Sequence, residues 1–262
     1  MMPSFGIGTY QLRTQEAIDI ALSEAFKNAA LHNIDKIVID TAEIYKNQHL
    51  IGEFLKKNNI PREKFWLTSK MSFHTMRKSD VEQIKSVNKS LQDLGIEYID
   101  LYLLHSCVEN NIIPWNILKT FKSRGKILNI GISNFNITNL NKFCENTDVD
   151  VNEIYCSQLE INPFLFRKDL IQLCFKKSIK VTAYGSLYKT SDKIKSIADK
   201  YFKTEQQILI KWALQNNLNI IPRSSNPKHI KDNFDMKFII DDLDMEILNS
   251  LHDGFSKFER YL

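Results

Sequence analysis

Eight short apolar runs, each followed by a helical segment, constrain the fold of this chain more than any other feature of its sequence. The runs cover residues 5–9, 36–40, 65–69, 98–104, 127–132, 153–158, 180–184 and 218–222. Dividing the 262 residues by eight gives a repeat of roughly 33, the length of one strand-and-helix unit. Such alternation favours parallel strands, because antiparallel hairpins need only short turns.

Eight such units predict an α/β fold, a closed (β/α)8 TIM barrel that uses residues 1–262 as a single domain. Barrels of this kind commonly use about 200 to 250 residues as one unit. A doubly wound parallel sheet is the alternative. Its glycine-rich G-x-G-x-x-G fingerprint is missing, since Gly6 and Gly8 are followed by Gln11 where the third glycine would lie.

Capping residues predict the ends of several helices. The apolar pattern predicts a first helix from about Thr14, and a second helix begins at a capping box of Ser79 and Glu82 and ends at Gly95. Pro114 predicts the first turn of a further helix. The apolar stripe of the second of these helices predicts its buried face and consists of Val81, Ile84, Val87, Leu91 and Leu94.

Charge and composition exclude several classes of function. The chain has 35 basic and 31 acidic residues, a net charge of +4, and the basic residues are scattered rather than clustered. Nucleic acid is therefore not the expected partner, because phosphate binding needs clustered positive charge. No run approaches the ~18 apolar residues of a membrane span, and the opening residues lack a secretion signal. We expect a cytoplasmic protein with no membrane partner.

The four cysteines show no metal-binding or disulfide pattern. They lie in apolar contexts without C-x-x-C spacing and are Cys107, Cys144, Cys156 and Cys174. We expect free thiols in a reducing compartment and no metal site.

Polar and aromatic residues follow every apolar run, at the end of a barrel where active sites lie. They are Thr9, Tyr10, Asp40, Lys70, His105, Ser133, Asn134, Gln158, Tyr184, Arg223 and Ser224. Taken alone, Asp40 is explained as a helix cap, Lys70 as a solvated lysine and His105 as a core histidine. These three, however, end consecutive parallel strands, whose ends lie about 5 Å apart. Tyr45, about one helical turn beyond Asp40, is placed to lean over the same opening.

These four side chains suggest proton transfer to a carbonyl oxygen. A free tyrosine titrates near pH 10, and an ammonium within ~4 to 6 Å favours the phenolate. We therefore expect Lys70 to lower the pKa of Tyr45 and make it a general acid, with Asp40 holding Lys70 in place. His105 would donate a hydrogen bond to the substrate oxygen. Side chains cannot supply a hydride, so reduction of the carbonyl requires a nicotinamide cofactor.

With these residues in place, the chain resembles the aldo-keto reductases over nearly its whole length. The matching segments are 6–10, 40–45, 67–70, 98–105, 125–126, 130–135 and 221–224, with Gln158, Glu160, Pro163 and Asn233. The resemblance implies a (β/α)8 barrel that binds NADPH, or alternatively NADH, without a Rossmann domain. It also implies reduction of small aldehydes and ketones to alcohols.

The resemblance assigns roles position by position. The catalytic four are Asp40, Tyr45, Lys70 and His105. The cofactor residues are Gly8, Thr9, Ser133, Asn134, Gln158, Tyr184, Gly185, Ser186, Leu187, Arg223, Ser224, His229 and Asn233. The substrate-pocket residues are Tyr10, Ser72 and Ser106.

The sequence departs from the family pattern at both ends of the barrel. Only residues 1–4 precede the first strand, where members usually carry a β-hairpin that plugs the lower end. We therefore expect an exposed lower core, with polar substitutions, a covering neighbour chain or reduced stability. The expected assembly is a monomer or weak homo-oligomer.

The cofactor and substrate sites also depart from the pattern. His229 stands where many members have an arginine, which predicts a smaller preference for NADPH over NADH. Tyr10, Ser72 and Ser106 replace tryptophans, and the tail is short, which predicts a wide, wet pocket. Three tail aromatics either fold back over it or pack on the barrel wall: Phe255, Phe258 and Tyr261.

Two other functions remain open at this point. One is a cofactor-sensing regulatory or scaffold subunit of the same fold with slow or no turnover. The other is a phosphate-binding isomerase, which the absence of a glycine-rich phosphate loop argues against.

Overall fold

The computed structural model describes residues 1–258, and its eight parallel strands form one sheet in chain order. The strands are β1 (Gly6–Gly8), β2 (Ile37–Asp40), β3 (Phe65–Met71), β4 (Ile99–Leu104), β5 (Ile127–Ser133), β6 (Ile154–Glu160), β7 (Lys180–Tyr184) and β8 (Asn219–Ile220). Phe5 forms a parallel bridge with Ile220, whose N–H donates to the carbonyl of Ser4 at 2.8 Å. These contacts join β8 to β1. The predicted barrel is confirmed, and the doubly wound sheet was wrong.

Helices connect the strands and cover the outside of the barrel. They are α1 (Gln15–Leu31), α2 (Gln48–Lys57), α3 (Phe73–Met76), α4 (Asp80–Leu94), α5 (Ile112–Ser123), α6 (Ile137–Cys144), α7 (Lys168–Lys176), α8 (Asp192–Tyr201), α9 (Glu205–Gln215), α10 (Pro227–Phe234) and α11 (Asp242–Asn249). The Thr14 side chain accepts a hydrogen bond from the N–H of Ala17 and so begins α1. A 3-10 turn, Glu43–Tyr45, carries Tyr45 between β2 and α2.

The boundaries of α4 agree with its sequence pattern, whereas its buried face does not. Ser79 and Glu82 form the expected capping box, and Gly95 ends the helix with a φ of 64°. Val81 and Ile84 are 60% and 40% exposed, so the prediction that they face the core was wrong.

Polar side chains with buried partners explain the altered face. Gln83 is buried and its amide donates to the carbonyl of Lys78 at 3.0 Å. The hydroxyl of Ser90 lies 3.1 Å from that of Tyr102. Hydrogen-bonded polar groups can therefore occupy a buried helix face that the apolar pattern assigns elsewhere.

The lower end of the barrel, at the N-terminal ends of the strands, is closed from within. Trp66 stacks on Tyr155 with ring centroids 5.7 Å apart, and the N–H of Met2 donates to the Tyr155 hydroxyl at 3.2 Å. Met2 and Trp66 are only 6% and 5% exposed. The expectation of an exposed lower core was therefore wrong, because these three side chains cover it.

Two expectations drawn from the sequence concern the cysteines and the absence of membrane-spanning segments. All four cysteines are free thiols, and two of them, Cys156 and Cys174, are buried. Within residues 1–258, none of the helices has the length and apolar character needed to cross a membrane.

Candidate active site

The C-terminal ends of the strands, which we call the mouth of the barrel, surround a cavity of about 590 Å³. Sixteen of the residues predicted from sequence line it: Gly8, Tyr10, Asp40, Tyr45, His105, Ser106, Ser133, Asn134, Gln158, Tyr184, Gly185, Ser186, Leu187, Arg223, Ser224 and His229. The strand ends converge here because all eight strands are parallel.

A buried ion pair lies at the floor of the cavity. Lys70 in β3 donates from Nζ to Oδ1 of Asp40, at the end of β2, over 2.6 Å, and to the carbonyl of Thr41 over 2.9 Å. Both side chains of the pair are buried. Burial lowers the pKa of Lys70, while the Asp40 carboxylate acts in the opposite direction.

Tyr45 brings its hydroxyl to this pair. The hydroxyl accepts a hydrogen bond from Lys70 Nζ at 3.4 Å, and the ring packs beside that of Tyr10 with centroids 5.1 Å apart. Burial raises the pKa of Tyr45 well above its usual range, and the charge of Asp40 adds to the rise. The pKa of Tyr45 is therefore raised overall and not lowered as predicted, because burial dominates. Tyr45 keeps its proton through the neutral range.

His105 follows β4 and stands beside Tyr45. Its ring meets that of Tyr45 edge-on, with centroids 5.8 Å apart. Burial, together with the charge of Lys70, lowers the pKa of His105 well below 6.5, so the ring is neutral at pH 7. Its Nδ1 is buried and has no hydrogen-bond partner within residues 1–258. The cavity thus holds two neutral side chains, each with a proton to donate.

Gln158 and Ser133 link the ion pair to β5 and β6. The Gln158 amide donates to Oδ2 of Asp40 at 2.8 Å, so both carboxylate oxygens of Asp40 are held. The hydroxyl of Ser133 donates to the carbonyl of Gln158 at 2.9 Å. This network fixes the carboxylate that positions Lys70.

Asn134 links His105 to Tyr184 across the mouth. Its amide donates to the carbonyl of His105 at 2.9 Å, and its Oδ1 accepts from the Tyr184 hydroxyl at 2.8 Å. Its backbone has a φ of 62°, a left-handed conformation that asparagine tolerates better than most residues. These two hydrogen bonds therefore fix the orientation of the Asn134 amide and of the Tyr184 hydroxyl.

The residues around the cavity fit an extended dinucleotide. A Cβ on Gly8 would lie 2.8 Å from the carbonyl oxygen of Ile221, so glycine here permits close backbone approach. At the far side, Arg223 contacts Gln11 at 3.1 Å and forms no ion pair with a carboxylate of residues 1–258. Asn226 caps α10 beside it. The amides and hydroxyls near Tyr45 suit a nicotinamide. The cation of Arg223 and the start of α10, which lie farther from Tyr45, suit phosphate groups.

Comparison with known proteins agrees with this geometry. Residues 4–191 match the model of the Aldo/keto reductase family. The chain belongs to this family. An uncharacterized oxidoreductase of Schizosaccharomyces pombe is 32% identical, over 97% of this chain and 91% of that protein. The NAD/NADP-dependent indole-3-acetaldehyde reductase of the same organism is 31% identical, over 95% of this chain and 91% of the relative.

Comparison with solved structures gives the same family. An aldo-keto reductase from a deep-sea metagenome library superimposes with a TM-score of 0.87 and 31% identity, covering 98% of this chain and 94% of its own. Because its relatives are reductases and oxidoreductases, the protein is an oxidoreductase of the aldo/keto reductase family.

Four residues assigned to sites in this aldo/keto reductase do not line the cavity, and one of them is Lys70, which is fully buried. Thr9 is buried, and its hydroxyl donates to the carbonyl of Asp40 at 2.9 Å. The hydroxyl of Ser72 accepts from the N–H of Thr75 at 3.2 Å and caps α3. Asn233 is buried on α10. Thr9, Ser72 and Asn233 are therefore not among the lining residues, and their predicted contact with cofactor or substrate stays a prediction.

Several lining residues of this reductase were missed because they lie beyond the strand ends, in loops, a 3-10 turn and the short helix α3. They include Arg13, Ile44, Phe73 and Tyr188. Ile44 carried a signal in the sequence, since an apolar residue next to Tyr45 in a short turn lies near the same opening. The other three carried no local signal.

The pocket is more apolar than the predicted wide, wet one. Phe258 folds back over the mouth, with its ring 5.5 Å from that of Tyr184 and 5.3 Å from that of Tyr188. Phe255 instead lies against the ammonium of Lys189, 4.8 Å from the ring centroid. Tyr261 lies outside the described residues.

Proposed function

We propose that this protein reduces aldehydes and ketones to alcohols, with Tyr45 as the proton donor. The observation that carries the proposal is the position of the Tyr45 hydroxyl, 3.4 Å from the ammonium of Lys70 at the floor of the cavity. A nicotinamide, when bound, would supply a hydride to the carbonyl carbon. The carbonyl oxygen then needs a proton, which Tyr45 carries throughout the neutral range.

The side chains around Tyr45 have different roles in proton transfer. As the proton leaves, negative charge develops on the tyrosine oxygen, and the nearby ammonium of Lys70 stabilises it. Asp40 holds that ammonium in place through its bond of 2.6 Å. Neutral His105 donates a hydrogen bond to the substrate oxygen and orients the carbonyl group.

The proposed cofactor is NADPH, with NADH as the alternative. Ser133, Asn134 and Gln158 would hold the nicotinamide amide and Tyr184 would stack under the ring. The side chains of Arg223 and His229 line the other part of the cavity and would bind the adenosine half. A relative named as NAD/NADP-dependent supports a weak preference between the two cofactors.

The proposed substrates are small aldehydes and ketones with an apolar substituent. Ile44, Phe73, Tyr10 and Phe258 give the cavity an apolar, aromatic lining. Such a lining favours apolar groups beside a few polar groups that fix orientation. The relative named for indole-3-acetaldehyde is consistent with an aromatic aldehyde.

Steady-state reduction of 4-nitrobenzaldehyde tests the proposal. The protein is mixed with excess NADPH and aldehyde, and NADPH absorbance is followed beyond one equivalent of protein. We expect continuous oxidation over many turnovers. One rapid equivalent followed by a stall would instead favour the cofactor-sensing subunit, and no oxidation with NADPH or NADH would contradict carbonyl reduction.

A further inference from the structure

Glu160, at the end of β6, is a buried carboxylate without a cationic partner. It is fully shielded from solvent, and no Lys, Arg or His within residues 1–258 forms an ion pair with it. A buried charge is costly unless hydrogen bonds replace its lost water. The hydrogen-bond donors to this carboxylate therefore identify the part of the chain that it stabilises.

Within residues 1–258, all hydrogen bonds to the Glu160 carboxylate come from one short stretch of the C-terminal segment. The N–H of Lys257 donates to Oε1 at 2.6 Å. The hydroxyl of Ser256 and the N–H of Phe258 donate to Oε2 at 2.5 and 3.2 Å. If this stretch left the mouth, the carboxylate would lose all three bonds. The carboxylate and the segment therefore stabilise each other's position.

A second anchor holds the same segment. The N–H groups of Asp253 and Gly254 donate to the carbonyl of Phe164 at 3.0 and 3.1 Å, and Lys189 pairs with the Asp253 carboxylate. The Lys189 ammonium also lies over the ring of Phe164, 4.5 Å from its centroid. Residues 253–258, which we call the strap, are thus fixed at both ends.

The strap carries Phe258 into the cavity. The rings of Phe258 and Tyr10 are 6.1 Å apart, and those of Tyr10 and Tyr45 are 5.1 Å apart. Phe258 is therefore separated by one aromatic ring from the proposed proton donor.

Gly185 makes room for this arrangement. A Cβ there would lie 3.1 Å from Cγ of Glu160 and 3.2 Å from the ring of Phe258, and the glycine has a φ of 65°. The loop after β7 therefore leaves a space that the carboxylate and the ring share. The position of Phe258 therefore depends on three parts of the chain that are distant in sequence, namely β6, the loop after β7 and the strap.

We propose that Glu160 is a positioning residue that latches the strap, and that Phe258, seated by this latch, limits the size of the carbonyl compounds that reach Tyr45. The size limit rests on the proposed function, whereas the latch does not. No described residue other than those of the strap satisfies the carboxylate of Glu160, which is what assigns it this role.

A double-mutant cycle tests the coupling between the two residues. The variants are Glu160→Gln, Phe258→Ala and the pair, and the readout is the ratio of kcat/KM for 2-naphthaldehyde to that for benzaldehyde. Removing the ring should raise the ratio about tenfold. Glu160→Gln should raise it in the same direction, because an amide cannot accept all three bonds.

The double variant distinguishes the latch from two independent effects. If Glu160 acts through Phe258, the pair should match Phe258→Ala alone, within about twofold. Ratios that multiply, or an unchanged ratio in Glu160→Gln, would overturn the proposal. The matched control is Glu153→Gln, directly before β6. Its carboxylate faces Lys119 at 3.0 Å, and the substitution should leave the ratio unchanged.

Limited trypsin digestion tests the latch without any enzymatic activity. Cleavage after Lys257, followed by intact mass, should be about tenfold faster in Glu160→Gln than in the wild type, and unchanged in Glu153→Gln. Equal rates in Glu160→Gln and the wild type would overturn the latch even if the protein reduces aldehydes. Faster cleavage in a protein that reduces no aldehyde would support the latch and refute the size limit with the proposed function.

A milder variant covers the case in which Glu160→Gln does not fold. Ser256→Ala removes one of the three donors and should speed cleavage about threefold, the value of one hydrogen bond. No change in cleavage with this variant would count against the latch.

Discussion

At the residue level, burial controls the protonation of the two donors in the cavity. Burial raises the pKa of Tyr45 well above 10 and lowers that of His105 well below 6.5. Both side chains are therefore neutral at pH 7, and each retains a proton. Lys70 contributes to the lowered pKa of His105, and it stays in place through its bond to Asp40.

The lowered pKa of His105 predicts a pH-dependent stability. Below pH about 6.5, the unfolded chain binds a proton at this histidine that the folded protein does not, so stability falls as the pH falls. The His105→Gln variant lacks this contribution to the loss of stability at low pH. The drop in Tm from about pH 7.5 to about pH 5 should be smaller than in the wild type by roughly 2 to 4 °C.

Thermal unfolding at the two pH values checks this prediction. Exposed His49 provides the matched control, and His49→Gln should show the same drop as the wild type. Equal drops in His105→Gln and the wild type would show that His105 titrates normally in the folded protein.

At the level of elements, strands were predicted more accurately than loops. The run at 180–184 matches β7 at both ends, and the run at 98–104 differs from β4 by one residue. The face of α4 was misassigned because Gln83 and Ser90 find buried partners that only the fold supplies. A local sequence pattern shows which residues are apolar, but it does not show which polar side chains will find hydrogen-bond partners in the fold.

The closure of the lower end of the barrel by Trp66 predicts a large loss of stability in Trp66→Ala. The side chain is buried among Met2, Val38 and Leu101 and stacks on Tyr155. Removing it should lower the free energy of unfolding by about 3 to 5 kcal/mol. Trp66→Phe, which keeps an aromatic ring, should lose clearly less.

Urea denaturation of the two variants measures this difference. The midpoint should not depend on protein concentration, because the cover comes from the chain itself. A loss below about 0.5 kcal/mol in Trp66→Ala, the range of surface substitutions, would show that Trp66 does not close the barrel.

At the level of the whole molecule, the parallel barrel explains why the centre of the site was predictable. Strand ends converge, so Asp40, Lys70 and His105 could be placed together from their positions in the chain. The cover of the cavity by Phe258 depends on contacts with Glu160, almost one hundred residues earlier, which no local pattern reveals. The pKa of Tyr45 was mispredicted for the same reason, because depth of burial is a property of the fold. That residues 1–262 act as one domain stays a prediction.

The central claim is that the Tyr45 hydroxyl gives the proton that follows the hydride. Its most direct test compares Tyr45→Phe with the wild type in steady-state aldehyde reduction and in NADPH binding by fluorescence titration. Tyr98→Phe, at a tyrosine outside the cavity, is the matched control. We predict that Tyr45→Phe lowers kcat by about 10² to 10⁴ and leaves the Kd for NADPH within about twofold, while Tyr98→Phe changes neither. A Tyr45→Phe variant that binds NADPH and turns over at the wild-type rate would contradict the account.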